Sequence, residues 1–230
     1  MIHSIRLIAL AAAACLLVQS AAQGAIITQP TGLSPGDQYR LVFLTSTARD
    51  ATSTDIADYN TFVTGVATAV PQLDDLGTTW TAIASTAAVD ARDNTSTTTA
   101  GVPIYGLDDL RVAADNTDLW DGSLENRIWT TENGSIAPGV VWTGTQTDGF
   151  EFAGSALGEL AARNGVSVAT DTNWVDSGDL SNDLSLPMYA ISGILIAEAV
   201  EAVPEPSTWA LGMSGLAAMA GALRRRRLST

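Results

Sequence analysis

Carboxylates and amides alternate through Asp171-Thr172-Asn173-Trp174-Val175-Asp176-Ser177-Gly178-Asp179, with Asn182 and Asp183 just beyond. Asp and Asn oxygens spaced around a glycine turn are the donors an oxygen-only calcium site needs, so Asp171, Asn173 and Asp176 are candidate ligands of Ca2+. Trp174, among them, could lay a flat apolar face against a sugar ring. The same residues also read as an Asx-turn loop closed over a core tryptophan, and they have neither the spacing nor the closing bidentate Glu of an EF-hand loop.

Two other segments have a similar flavour. In Asp115-Asn116-Thr117-Asp118-Leu119-Trp120-Asp121-Gly122, Asp115 or Thr117 is expected to cap a one-turn helix whose Trp120 fills the core. Trp142 is expected to end a strand, with Gly144 opening a loop toward Asp148. Carboxylates alone can hydrolyse a glycoside when two are held about 5 to 10 Å apart and one has a raised pKa. A chain this rich in acids meets that distance by chance, and no strand, glycine-turn and nucleophile motif accompanies it. A carboxylate-based glycoside hydrolase therefore stands as the second alternative to a non-enzymatic protein.

Composition narrows the chemistry further. Between Ala25 and Val203 six arginines face 24 acids, and the whole chain lacks lysine. Such a surface repels polyanions, which argues against nucleic acid as a partner, and attracts divalent cations. The only cysteine and the only histidine are Cys15 and His3. Downstream of them no Ser-His-Asp or Cys-His nucleophile, Cys/His zinc site or disulfide can be built. Stability must come from an ordinary core, and five tryptophans between Trp80 and Trp174 supply bulk for it.

The ends of the chain carry targeting signals. Residues 1–24 read as a secretory signal peptide: Arg6 comes early, an apolar core runs from Ile5 to Val18, and small residues allow cleavage after Ala22 or Gly24. Cys15 lies inside that core and reads as a core residue. At the other end, Val203-Pro204-Glu205-Pro206-Ser207-Thr208 is followed by an apolar run over 209–223 and by Arg224, Arg225, Arg226 and Arg227. The two prolines keep the chain extended and accessible. An apolar helix over 209–223 would rise about 22 Å against about 30 Å of hydrocarbon, short for a permanent anchor. The arginines would hold the end on the cytoplasmic side. This order resembles the PEP-CTERM signal of Gram-negative bacteria. The resemblance implies membrane insertion, recognition of Pro204, Glu205 and Pro206 with the arginine cluster, and processing by exosortase, a transpeptidase-like membrane enzyme. It also implies export to the cell surface or extracellular matrix, and association with exopolysaccharide.

Residues 25–202 must then form the exported domain. Tyr39–Leu44 reads as a buried strand. Thr52, Ser53 and Thr54 offer capping hydroxyls to a helix that carries Ile56, Tyr59, Phe62, Val63, Val66 and Val70 on one face and stops at Pro71. Further strands are expected over 78–85, 103–105, 110–113, 140–143 and 187–196. A Thr-rich surface loop should cover 94–101, with turns at Asp148-Gly149, Asn164-Gly165 and Ser177-Gly178. This pattern is α+β. Tyr39 to Ser46, the helix, Trp80 to Ser85, Val141 to Thr145 and Tyr189 to Ser192 come in an order that resembles the endostatin-like and C-type-lectin-like arrangement. The resemblance implies a single domain with one main amphipathic helix, short strands and long loops. The histidines of the endostatin zinc site and the paired cysteines of lectin domains are missing, so neither zinc nor the usual lectin sugar site is carried over. The resulting expectation is an exosortase-sorted, non-enzymatic surface or matrix protein, with a calcium-assisted polysaccharide-binding module as the first alternative.

Overall fold

Strand β1 (Gln38–Leu44) divides the hydrophobic interior in two. Its side chains alternate with the period of two that a strand imposes: Tyr39, Leu41 and Phe43 enter one core, Val42 and Leu44 the other. A sheet covered on both faces demands an unbroken apolar run, and Leu41–Leu44 supplies it. The computed structural model describes residues 24–199. The signal-peptide residues up to position 23, the segment 209–223 and the tail motif lie outside the described residues. Among those described, no helix is long and apolar enough to cross a membrane.

The architecture is α+β. The main sheet runs β2 (Trp80–Ala82), β8 (Tyr189–Ser192), β1, β3 (Ile104–Gly106), β4 (Arg111–Ala113), and β9 (Leu195–Ile196) pairs with the start of β1. The β1–β3 pair is parallel, with Leu41 opposite Tyr105, and the other pairs are antiparallel. A second, antiparallel sheet contains β5 (Val140–Trp142), β6 (Ala161–Val166) and β7 (Gly178–Ser181). Trp142 joins the two sheets: its backbone N–H donates to the Pro187 carbonyl at 3.0 Å, and its indole is fully buried.

Helix α1 (Ile56–Thr68) buries Tyr59, Val63 and Ala67 against Trp80, Phe43 and Leu73. Its cap is Asp55, whose carboxylate accepts from the Ala57 N–H at 2.9 Å, and not one of the three preceding hydroxyl residues. Aspartate satisfies an orphan N–H and also complements the helix dipole, which a hydroxyl cannot do. Pro71 ends the helix as expected and opens the one-turn α2 (Pro71–Asp74) as its first residue. Two further one-turn helices follow, α3 (Ala91–Asn94) and α4 (Asn116–Leu119), the latter capped by Asp115.

Two expectations are corrected, and a third in part. Asn164-Gly165 is not a turn but lies within β6, and Gly178 begins β7. Gly165 is needed for close approach: a Cβ there would stand 2.0 Å from the Trp174 carbonyl oxygen. The Thr-rich segment lies on the surface over residues 98–101, as expected, but its first half turns inward, with Thr95 and Thr97 buried. It is held by Arg40, a buried cation whose Nη1 donates to the Thr95 carbonyl at 2.6 Å, and by the Trp120 indole N–H, which donates to the Thr97 hydroxyl at 2.8 Å. Desolvation lowers the pKa of Arg40.

Candidate functional site

The acidic segment after β6 is divided by the structure. Asp171 caps a single 3-10 turn, Thr172–Trp174, and its Oδ1 accepts from the Asn173 backbone N–H at 3.1 Å and from the Asn173 amide at 3.0 Å. Asp176 faces the other way and receives a hydrogen bond from Arg163 Nε, while Arg163 Nη1 donates to Asp179 at 3.1 Å. Burial opposes the Arg163 charge, but the bonds to Asp179 and Asp176 outweigh it and raise its pKa. Asp171 and Asn173 are thus together, and Asp176 is committed to a cation. Among the described residues no group of three or more His, Cys, Asp or Glu side chains is placed to hold a metal.

Trp174 does not offer its face to solvent. It is fully buried, with ring centroids 5.8 Å from those of both Trp120 and Tyr189, so of its two readings the core position holds and the sugar platform is corrected. The physical reason lies in the short turn that Asp171 caps, which points residue 174 inward over β8. Trp120 and Trp142 take the core roles expected of them.

A concave surface lies elsewhere, along the outer side of α1. Two adjoining cavities of about 530 and 480 Å³ share Ala69, Val70, Glu132 and Asn133. Phe62, Gly65 and Val66 line one of them on the helix side, and Ser46 and Thr47 form its opposite wall. Both volumes fall in the range of ligand pockets. Glu132 is 4% exposed and makes no ion pair among the described residues. Its Oε2 accepts from the Ser46 N–H at 2.8 Å; its Oε1 accepts from the Ser46 hydroxyl and, at 2.9 Å, from the Asn133 amide.

A tight turn places these groups. The Leu44 N–H donates to the Thr130 carbonyl, the Thr131 N–H donates to the Ser135 carbonyl at 2.8 Å, and Gly134 takes a φ of 73°, so Glu132 and Asn133 form the tip facing α1. Asn133-Gly134 is the turn signal that could have revealed this site in the sequence. Gly65 is the other signal. A glycine inside a helix costs about 1 kcal/mol relative to alanine. Here neither its φ nor a neighbour requires it, because a Cβ would meet nothing within 4 Å. Beside the groove, Arg49 lies over Tyr59 with its guanidinium carbon 4.2 Å from the ring centroid.

A third cavity, of about 620 Å³, sits where the chain leaves the domain and includes Tyr39, Leu76, Ile194, Ile196 and Glu198. Gln29 clamps that exit: its amide donates to the Glu198 carbonyl at 3.1 Å and its side-chain oxygen accepts from the Glu198 N–H at 2.9 Å. The Tyr39 hydroxyl donates to the Thr28 carbonyl at 2.8 Å, and burial, with Glu198 nearby, raises its pKa.

Directly beyond this clamped exit the chain matches a known motif. Residues 202–227 fit the family model of the PEP-CTERM protein-sorting motif. A search of curated proteins finds no match to the chain. The motif supports a class, that of exported proteins sorted by exosortase. Within that class, the sorting tail begins three residues past the last described position, Ala199.

Proposed function

We propose that this chain is a non-enzymatic protein of the cell surface or extracellular matrix, associated with exopolysaccharide after exosortase has processed its tail. The observation that carries the reading is the sorting motif at 202–227, set immediately after a domain whose exit is held by Gln29 and Glu198. Before processing, the apolar run over 209–223 anchors the protein in the inner membrane. Afterwards the domain is displayed outside. The non-enzymatic part of the reading is supported by the lack of histidine and cysteine between residues 25 and 203. We also infer a C-type-lectin-like arrangement, supported by the antiparallel pairing of the first strand with the last two, by one main helix and by long loops.

Intact mass and cell fractionation, with and without an active exosortase, test this reading. A C-terminus between Val203 and Thr208 in the outer fraction, dependent on the enzyme, is the expected result. A full-length chain retained in the inner membrane in both strains would overturn it. Incubation with the organism's own polysaccharide should release no reducing ends at any pH, and release would favour the glycoside hydrolase.

A further inference from the structure

We infer that the groove along α1 binds an uncharged, hydroxyl-rich polysaccharide, with Phe62 and Val66 as the apolar floor and Glu132 as the hydrogen-bond acceptor at its head. The inference rests on the surface or matrix reading and gives it a ligand class and a site. Three observations carry it. The first is the charge of the head group. Glu132 accepts three hydrogen bonds, from the Ser46 N–H, the Ser46 hydroxyl and the Asn133 amide. Glu132 lines both cavities, and with no cation paired to it among the described residues, an anionic ligand would be repelled.

The second observation is the pairing of apolar and polar walls. Sugars present C–H faces and rims of hydroxyls. Phe62, Val66 and Val70 along one side, with Ser46, Thr47 and Asn133 on the other, match that division. The third is Gly65, which leaves the middle of the floor empty although a Cβ would meet nothing there. A helix that tolerates glycine for no packing reason leaves its backbone open to close approach. The two cavities continue into each other past Ala69 and Val70, so the groove suits a chain of sugars better than one ring.

The test uses native gels cast with dextran, laminarin or the producing organism's purified exopolysaccharide, each run beside a gel containing the polyanion alginate. The protein is the processed form from the outer fraction or, where processing fails, the detergent-extracted full chain, so a sorting failure and a binding failure are read separately. Retardation by at least one neutral glycan and none by alginate is expected. Gly65→Leu, which fills the floor from an exposed helix position, should weaken retardation about tenfold or more while the melting temperature is kept. Phe62→Ala should weaken it as well, and Glu132→Gln should weaken it without altering migration in plain gels beyond the change of one charge. Unchanged retardation of Gly65→Leu, retardation by alginate alone, or no retardation in any gel would each overturn the proposal.

Discussion

Tyr189 donates its hydroxyl to the carbonyl oxygen of Trp174 at 3.1 Å, and the two rings lie 5.8 Å apart. Both side chains are fully buried, so a strand of the main sheet and the turn after β6 are locked through one aromatic contact. Trp174→Ala should therefore lower the stability of the protein by about 3–5 kcal/mol, read by urea unfolding. Trp174→Phe should cost much less. The Trp174 indole N–H has no hydrogen-bond partner among the described residues, so phenylalanine gives up volume without orphaning an acceptor. Equal stability of the wild type and Trp174→Ala would show that the indole is not in the core.

Arg163 and its two carboxylates give a second prediction. The Arg163 and Asp176 side chains are each 19% exposed, and the guanidinium also lies 4.2 Å from the Phe152 ring centroid. Removing the Asp176 charge leaves a largely buried cation with only the more exposed Asp179. Asp176→Asn should cost about 1–3 kcal/mol. Asp171→Asn keeps an oxygen for the cap and should cost only a few tenths of a kcal/mol. Thermal melts with and without calcium complete the experiment. A calcium-dependent rise in melting temperature that both variants abolish would mean that Asp176 leaves Arg163 for a metal.

Why the sequence revealed β1, α1, strands β3 and β4 and the Asp115 cap, but not the Asp55 cap, β6 or the groove, has a physical answer. Residues 38–44 and 56–68 carry strong periodicity, and Asp115 precedes its one-turn helix as a local signal. Strand β6 reads Ala-Ala-Arg-Asn-Gly-Val, which has low strand propensity and contains a turn dipeptide. It is a strand because Gly165 lets the Trp174 backbone approach and because the flanking strands β5 and β7 pair with it, both tertiary effects. The same applies to Trp174: the run of Asp and Asn around it describes a local turn, but the direction of its ring is decided by Trp120 and Tyr189, which are distant in sequence. The groove joins residue 46, a helix face and residue 132, and only the fold brings these together.

High pH should destabilise the protein through Tyr59. Its ring is fully buried, and burial pushes the hydroxyl up to about 12 from 10.0, with the nearby Arg49 charge pulling only partly back. The folded state therefore holds the phenolic proton where the unfolded chain releases it. The stabilisation is complete below pH 10 and is lost as pH rises from about 10 to 12, amounting to about 2–3 kcal/mol. Burial also raises the pKa of Tyr189, which steepens the fall. Tyr59→Phe should flatten this part of the pH profile. At neutral pH it should cost about 0.5–1.5 kcal/mol for the bond from the hydroxyl to the Ser53 carbonyl. A Tyr59→Phe profile as steep as the wild type between pH 10 and 12 would remove Tyr59 from the account.

Two glycines beside the groove should respond to alanine in opposite directions. Gly65→Ala adds a methyl group to open space in a helix interior and should stabilise by about 1 kcal/mol. Gly134 has a φ of 73°, and its Cβ would stand 2.3 Å from the Gly24 carbonyl oxygen, so Gly134→Ala should destabilise by about 1–3 kcal/mol. The two causes at Gly134 can be separated. Gly24 is exposed, and the segment can peel away to relieve the clash, whereas the positive φ belongs to the turn itself. Moving the mature N-terminus to Ala25 removes the contact and leaves the turn. If Gly134→Ala costs as much in that shorter chain, the backbone conformation of the Glu132–Asn133 turn carries the penalty. If the cost disappears, the packing of Gly24 carries it, and signal peptidase cleavage after Gly24 would leave this wall of the groove looser than cleavage after Ala22.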